Sequence, residues 1–238
     1  MKNVKYMLLA LLPFILSACS NNKLTTSKNE YQADQMVATI KGTTNSKSKV
    51  TYQINSSEPK NAINNNGTFV IQVPRSNVKQ NIKIKSHNQN KTLQKDVFVN
   101  ESNAILAYPE FAQKYNYIVM QQGGNKIIPL TLNNGIKNIV KDPLQTIRVD
   151  VQNNNLMAVT LIYPFNKIKN KTDMRKISMS IAMMSSLVGA DGKQVMNGLS
   201  KTMKESKDGQ TTFKTIKSNG INFQINVSTN SLYLYITK

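Results

Sequence analysis

The spacing of large apolar residues changes period part-way along the chain, so one packing scheme cannot serve all of it. Between Met36 and about Leu106 the apolar side chains alternate with polar ones, as in Phe69/Ile71/Val73, Ile82/Ile84 and Val97/Val99. Period two puts every second side chain on one face of a strand. Candidate strands are Val37 to Gly42, Lys49 to Asn55, Thr68 to Val73, Asn81 to Ser86 and Leu93 to Val99. The segments between them, Thr43 to Ser48, Ser56 to Gly67 and His87 to Lys91, are rich in the Gly, Pro, Asn and Ser that turns require.

Farther on, Met174, Ile177, Ile181, Met184 and Val188 recur at spacings of three and four, the signature of one helical face, with Thr172 as the expected N-cap ahead of Asp173. Gly189 to Gly192 should end that helix. Val195, Leu199 and Met203 carry a second one to about Glu205, which Asp208-Gly209 should end. Strands surround this helix pair. Leu144 to Val151 and Leu156 to Tyr163 read as a hairpin across an Asn-rich turn, and Ile127 to Leu132 with Ile136 to Lys141 as another. Thr211 to Lys217, Ile221 to Val227 and Leu232 to Thr237 close the chain as a meander. Between the two regimes, Ala107 to Lys126 reads as a join, with a short helix from Tyr108 to Gln113 that has Pro109 at its first position and breaks at Gly123-Gly124.

At the N-terminus, Lys2 and Lys5 precede an apolar run from Met7 to Leu16, too short for a membrane span, which needs roughly 20 residues. Leu16-Ser17-Ala18-Cys19 follows directly and resembles the bacterial lipobox. That resemblance implies a diacylglyceryl thioether on Cys19, loss of residues 1–18 as signal peptide, and a mature chain held to the extracytoplasmic face of the cell membrane without spanning it. Two acyl chains suffice for stable anchoring, at about 0.8 kcal/mol per buried methylene. Residues 19–35 hold almost no large apolar side chain and are expected to form a flexible tether.

A second resemblance lies in residues 36–106. Ala38-Thr39-Ile40-Lys41-Gly42-Thr43-Thr44, then Ser48-Lys49-Val50-Thr51-Tyr52, then Asn66-Gly67-Thr68-Phe69-Val70-Ile71-Gln72-Val73-Pro74 resemble the immunoglobulin-like repeats of bacterial surface proteins. The family pattern is a strand ending in Gly-Thr, a second strand, and a later Gly-x-Phe strand ending in Pro. It implies an immunoglobulin-like β-sandwich, here in a single copy. Residues 107–126 are then a linker and residues 127–238 an α+β domain, an antiparallel sheet with a helix pair on one face.

Composition narrows the chemistry. Lys and Arg number 31 against 12 acidic residues, a net charge of +19, and Arg occurs only at Arg75, Arg148 and Arg175. Cys19 and His87 are the sole residues of their types, so one chain cannot assemble a disulfide, a structural zinc site or a Cys/His catalytic pair. A Lys-rich exported chain without disulfides suits a low-GC Gram-positive bacterium. His87 sits in a polar stretch and reads as an exposed spectator. Asp142, Asp150, Asp173, Asp191 and Asp208 are scattered, and most sit at helix or turn boundaries, where capping and turn formation explain them. The Ser-x-x-Lys strings Ser46 to Lys49, Ser57 to Lys60 and Ser76 to Lys79 follow from Lys density, because none opens a helix that would desolvate the lysine. Gly189 to Lys193 is a helix connector. Met174, Met179, Met183 and Met184 read first as core filling, with an adaptable apolar surface as the second reading.

No catalytic residue, cofactor or metal is assigned. Lys without accompanying Arg and aromatic residues does not fit a nucleic-acid reader. The partners expected are the membrane, through the lipid on Cys19, and anionic envelope polymers or another surface protein. The expectation is a non-catalytic binding module on the cell surface. An envelope enzyme or enzyme inhibitor with its site in the C-terminal part, and an immunity or phage-exclusion lipoprotein, stay open as alternatives.

Overall fold

The computed structural model describes residues 23–89, 91–125, 127–205 and 213–238. Cys19, the signal segment, Asp208 and the first residues of the expected Thr211 to Lys217 strand lie outside the described residues. Within them the chain is β-rich and mostly antiparallel, with few helices.

The N-terminal half consists of β1 (Leu24–Thr26), β2 (Glu30–Tyr31), β3 (Val37–Thr44), β4 (Lys49–Ile54), β5 (Lys60–Ala62), β6 (Asn64–Asn65), β7 (Thr68–Pro74), β8 (Gln80–Asn88) and β9 (Lys91–Val99). They form two sheets, β1-β3-β7-β6 and β2-β9-β8-β4-β5. The alternation read from the sequence is the packing rule. Ala38, Ile40, Phe69, Ile71 and Val73 from the first sheet meet Val50, Ile82, Ile84, Val97 and Val99 from the second in one buried core. Gly42 on β3 is opposite Phe69 on β7, and a Cβ there would overlap the Phe69 ring and the Thr25 carbonyl. A glycine is what lets the ring cross the strand.

Residues 23–35 correct the expectation of a flexible tether. β1 pairs with β3, β2 pairs in parallel with β9, and the Tyr31 side chain is buried in the core with its hydroxyl bonded by the Lys28 amide at 3.0 Å. The missing apolar residues misled because edge pairing uses backbone groups, which every residue carries. The Ser56 to Gly67 stretch, expected as turn only, likewise holds the short strands β5 and β6.

The C-terminal half contains β10 (Leu106–Ala107), α1 (Tyr108–Gln121), β11 (Gly135–Lys141), β12 (Thr146–Gln152), β13 (Asn155–Pro164), α2 (Phe165–Ile168), α3 (Lys171–Leu187), α4 (Gly192–Glu205), β14 (Ile216–Ser218), β15 (Ile221–Val227) and β16 (Ser231–Thr237). One sheet runs β11-β12-β13-β16-β15-β14, with β10 beside β13. The β12–β13 turn has Asn153 and Asn154 at φ 52° and 62°, the left-handed geometry such hairpins need.

Four local expectations change here. The Ala107 to Lys126 segment is more than a linker: α1 runs to Gln121, has Pro109 at its second position, and buries Tyr108, Phe111, Ala112 and Tyr115 in the C-terminal core. Residues 127–132 make no strand. Pro129 cannot donate to a ladder, and Asn116 of α1 bonds both the Ile128 amide (2.7 Å) and its carbonyl (2.8 Å). β11 pairs with β12 instead. Asn170, not Thr172, caps α3, its side chain accepting from the Asp173 amide at 3.0 Å.

The faces of the C-terminal sheet differ. Val149, Val159, Ile236 and Phe223 line up across four strands, as do Ile147, Leu161, Leu234 and Ile225. All eight belong to the core shared with α1, α3 and α4. The intervening rows are Arg148, Thr160, Tyr235 and Gln224, and Asp150, Ala158, Thr237 and Asn222. On that face the N-terminal half is in contact: the Thr160 hydroxyl donates to the Met36 sulfur at 2.8 Å, and the Arg75 guanidinium donates to the carbonyl of Lys238 at 3.2 Å.

Candidate functional site

α3 and α4 lie on the apolar face of the sheet and leave a cavity of about 410 Å3 between themselves and it. From the sheet, Tyr163, Ile225, Leu232 and Leu234 form the floor; α3 contributes Met174, Ile177, Ser178 and Ile181; and α4 contributes Met196, Leu199, Ser200, Met203 and Lys204. The wall is almost wholly aliphatic and thioether. Its volume falls within the few hundred to a thousand Å3 usual for small-molecule sites.

Each wall residue has a local cause. The α3 stripe at spacing three and four turns Ile177, Ile181 and Met184 onto the sheet, while Met174 sits at the start of the same stripe and is only half-buried. α4 approaches the sheet edge closely because position 198 is glycine; a Cβ there would fall 2.7 Å from the Ile216 side chain. Ser178 turns its hydroxyl back to the Met174 carbonyl at 3.0 Å, so it adds little polarity to the wall. Tyr163 is fully buried and donates to Ser180 Oγ at 3.4 Å, and burial holds its phenol well above the usual range. The Ser180 hydroxyl continues to Gln145 Oε1 at 2.8 Å, which ties α3 to the strand side of the core.

The methionines divide between both sequence readings. Met184 is fully buried and Met183 packs against the core; Met174, Met196 and Met203 border the cavity; Met179 is 60% exposed. Met196 and Met203 lie on α4, outside the four methionines singled out from sequence. Met203 is already on the stripe that marks α4 in the sequence, and Met196 lies seven residues before it, a spacing that could have found it.

The acidic residues also divide. Asp142 accepts from the amides of Leu144 and Gln145 (2.8 and 3.0 Å), and Asp191 from those of Lys193 and Gln194 (2.8 and 3.1 Å). Asp173 sits in the first turn of α3 with Lys167 at 3.5 Å. These are turn and capping roles. Asp150 differs: it is fully buried on β12, accepts from Gln152 at 2.9 Å, and burial pushes its carboxyl up to about 6, against the lowering effect of Gln152 and of Arg75. Arg75 is 6% exposed, and its guanidinium donates to the carbonyls of Ala33, Gln35 and Lys238. Burial lowers its pKa, which Asp150 and Asp34 partly counter. Capping and turn formation, which account for the other described acids of this set, do not account for Asp150. The two charged side chains belong to the contact between the halves and lie apart from the cavity.

His87 is exposed and shares a hydrogen bond of 2.8 Å between Nδ1 and Thr92 Oγ1, the residue opposite it on β9. Ser46 and Ser57 occupy turns of the N-terminal half, whereas Ser76 is buried beyond the end of β7. Gly189 to Asp191 connects α3 to α4. Among the described residues no three His, Cys, Asp or Glu side chains converge, and no helix is long and apolar enough to cross a membrane.

No protein-family model matches the chain, and no curated protein matches it.

Proposed function

We propose that the protein is a lipid-anchored bacterial surface protein that acts by binding, with its ligand site in the cavity between α3, α4 and the sheet. In this reading Cys19 carries the lipid, the N-terminal half is an immunoglobulin-like β-sandwich serving as spacer, and the C-terminal half is an α+β domain serving as the recognition module. The observation that carries the reading is the cavity, about 410 Å3 of space walled mostly by apolar side chains. The two facing sheets and shared core of residues 31–99 support the sandwich, and the helices on one face of the six-strand path support the α+β layer. The lysine excess fits a setting of anionic envelope polymers, which it would attract within about 8 Å at physiological salt.

Metabolic labelling with radioactive palmitate tests the anchor. The native chain takes up label and sediments with membranes, and Cys19→Ala does neither. Label retained by the variant overturns the lipid assignment. Native mass spectrometry of the chain isolated from the envelope tests the binding role: a small molecule released from native protein but absent from a variant with a filled cavity supports it, and identical spectra overturn it.

A further inference from the structure

We infer that the ligand is a single-chain amphiphile with an anionic head, of which a fatty-acid carboxylate is the simplest case. The tail fills the cavity and the head rests beside Lys204. This deepens the binding role above and rests on it. The tail assignment comes from the wall. Its one aromatic ring, Tyr163, is fully buried with its hydroxyl engaged by Ser180, so the other walls are aliphatic, and a flexible alkyl chain fits them better than a planar ring. Met174, Met196 and Met203 can shift rotamers around chains of different length.

The head assignment comes from a second, polar depression of about 340 Å3 that adjoins the cavity and shares Ser200 and Lys204 with it. Asn197, Lys201 and Glu205 complete it. Lys201 and Glu205 lie 3.9 Å apart and offset each other, which leaves Lys204 as the uncompensated charge among these residues. The cavity lining contains no carboxylate. An apolar slot that opens at one end onto a hydroxyl and a lysine is complementary to a molecule with one greasy chain and one negative end.

The experiment uses the full chain carrying Cys19→Ala, purified without detergent, so that no acyl chain of its own competes. Decanoate, laurate and myristate are titrated below their micellar concentrations, with 1-dodecanol as the uncharged counterpart of laurate. Affinity should rise about fourfold for each methylene that enters the cavity. Laurate should bind more tightly than dodecanol, and Lys204→Glu should weaken laurate by about threefold to tenfold while weakening dodecanol far less. Met174→Trp should block both; Lys204→Glu, at an exposed position, keeps the test decisive if the tryptophan variant does not fold.

Affinity independent of chain length overturns the tail assignment. Equal binding of laurate and dodecanol, with Lys204→Glu neutral, overturns the anionic head but leaves the cavity a binding site. Failure of both to bind overturns the inference, and the binding role then stands or falls with native mass spectrometry. If the natively lipidated chain excludes laurate while Cys19→Ala accepts it, the occupant is the chain's own acyl group and a free ligand is excluded.

Discussion

One sheet presents two unlike surfaces. Residues that alternate along β12, β13, β16 and β15 build an apolar face toward the helices and a mixed polar face toward the N-terminal half. The apolar face meets three helices, and the side chains of α3 and α4 do not fill the space between themselves and the sheet, so a cavity remains. The polar face meets the other half through few but specific groups: Arg75 on the Lys238 backbone oxygen, Asp150 without exposure, Thr160 on the Met36 sulfur and Asn153 donating to Asn77 Oδ1 at 3.5 Å. Apolar contact is non-directional and tolerates a void, whereas buried polar groups need partners in defined places. The difference leaves open space on the first face and places the contacts with the N-terminal half on the second.

Substitutions can test this division, starting where the effect is largest. Phe223 is fully buried in the row that faces the helices. Phe223→Ala should cost about 3–5 kcal/mol in urea unfolding. On the same face Met196→Ala should cost less than about 2 kcal/mol, because its side chain is half-exposed and borders space that is already empty. Equal costs would mean that the cavity does not persist in solution.

On the polar face, Arg75→Leu removes the donor to three carbonyls and the charge that faces Asp150. The expected cost is about 3 kcal/mol at pH 8, where Asp150 is left buried and ionised, and it should shrink toward pH 5 as the carboxyl takes up a proton. A cost that does not change with pH would show that the carbonyl bonds alone matter.

Asp150 itself gives the third test. Burial raises its carboxyl from 3.8 to about 6. Between those values the folded chain holds a proton that the unfolded chain has released, so this group's contribution falls as pH rises from about 4 to 6 and is flat above. A rise of that size corresponds to about 3 kcal/mol. The stability of the native chain minus that of Asp150→Asn, measured from pH 4 to 7.5, should decline through that window. A constant difference would place the carboxyl in contact with water.

How far the sequence could be read follows the same division. Apolar periodicity located most strands of both cores together with α3 and α4, since burial of one face sets the period. However, α1 was read too short, and the expected strand at residues 127–132 does not form. Ile221 to Val227 was read with the boundaries the structure has, and Asn153, Asn154 and Asn219 stand at the left-handed turn positions. What escaped depended on backbone pairing or on distant partners. β1 and β2 bury little besides Tyr31. The irregular strap at Ile128 depends on Asn116, twelve residues away. Asp150 looked like the other turn-associated acids because nothing local marks the approach of Arg75. The cavity was readable only in part: a methionine-rich helix is visible in sequence, but unfilled space between two helices is a property of their packing.

The smallest effect separates the two faces most finely. Met36→Leu keeps volume but removes the sulfur that accepts from Thr160, leaving a hydroxyl that is 1% exposed without that partner. The cost should be about 1 kcal/mol. The same exchange at Met196, where nothing polar is engaged, should stay below about 0.5 kcal/mol. Adding Thr160→Val to Met36→Leu removes the stranded hydroxyl with its acceptor and should recover most of the loss, since an unmade buried bond costs more than an absent one. If the double variant is instead as unstable as the sum of the two single ones, the sulfur contact contributes nothing. The contact between the halves would then rest on Arg75, the Asn153–Asn77 bond and shape.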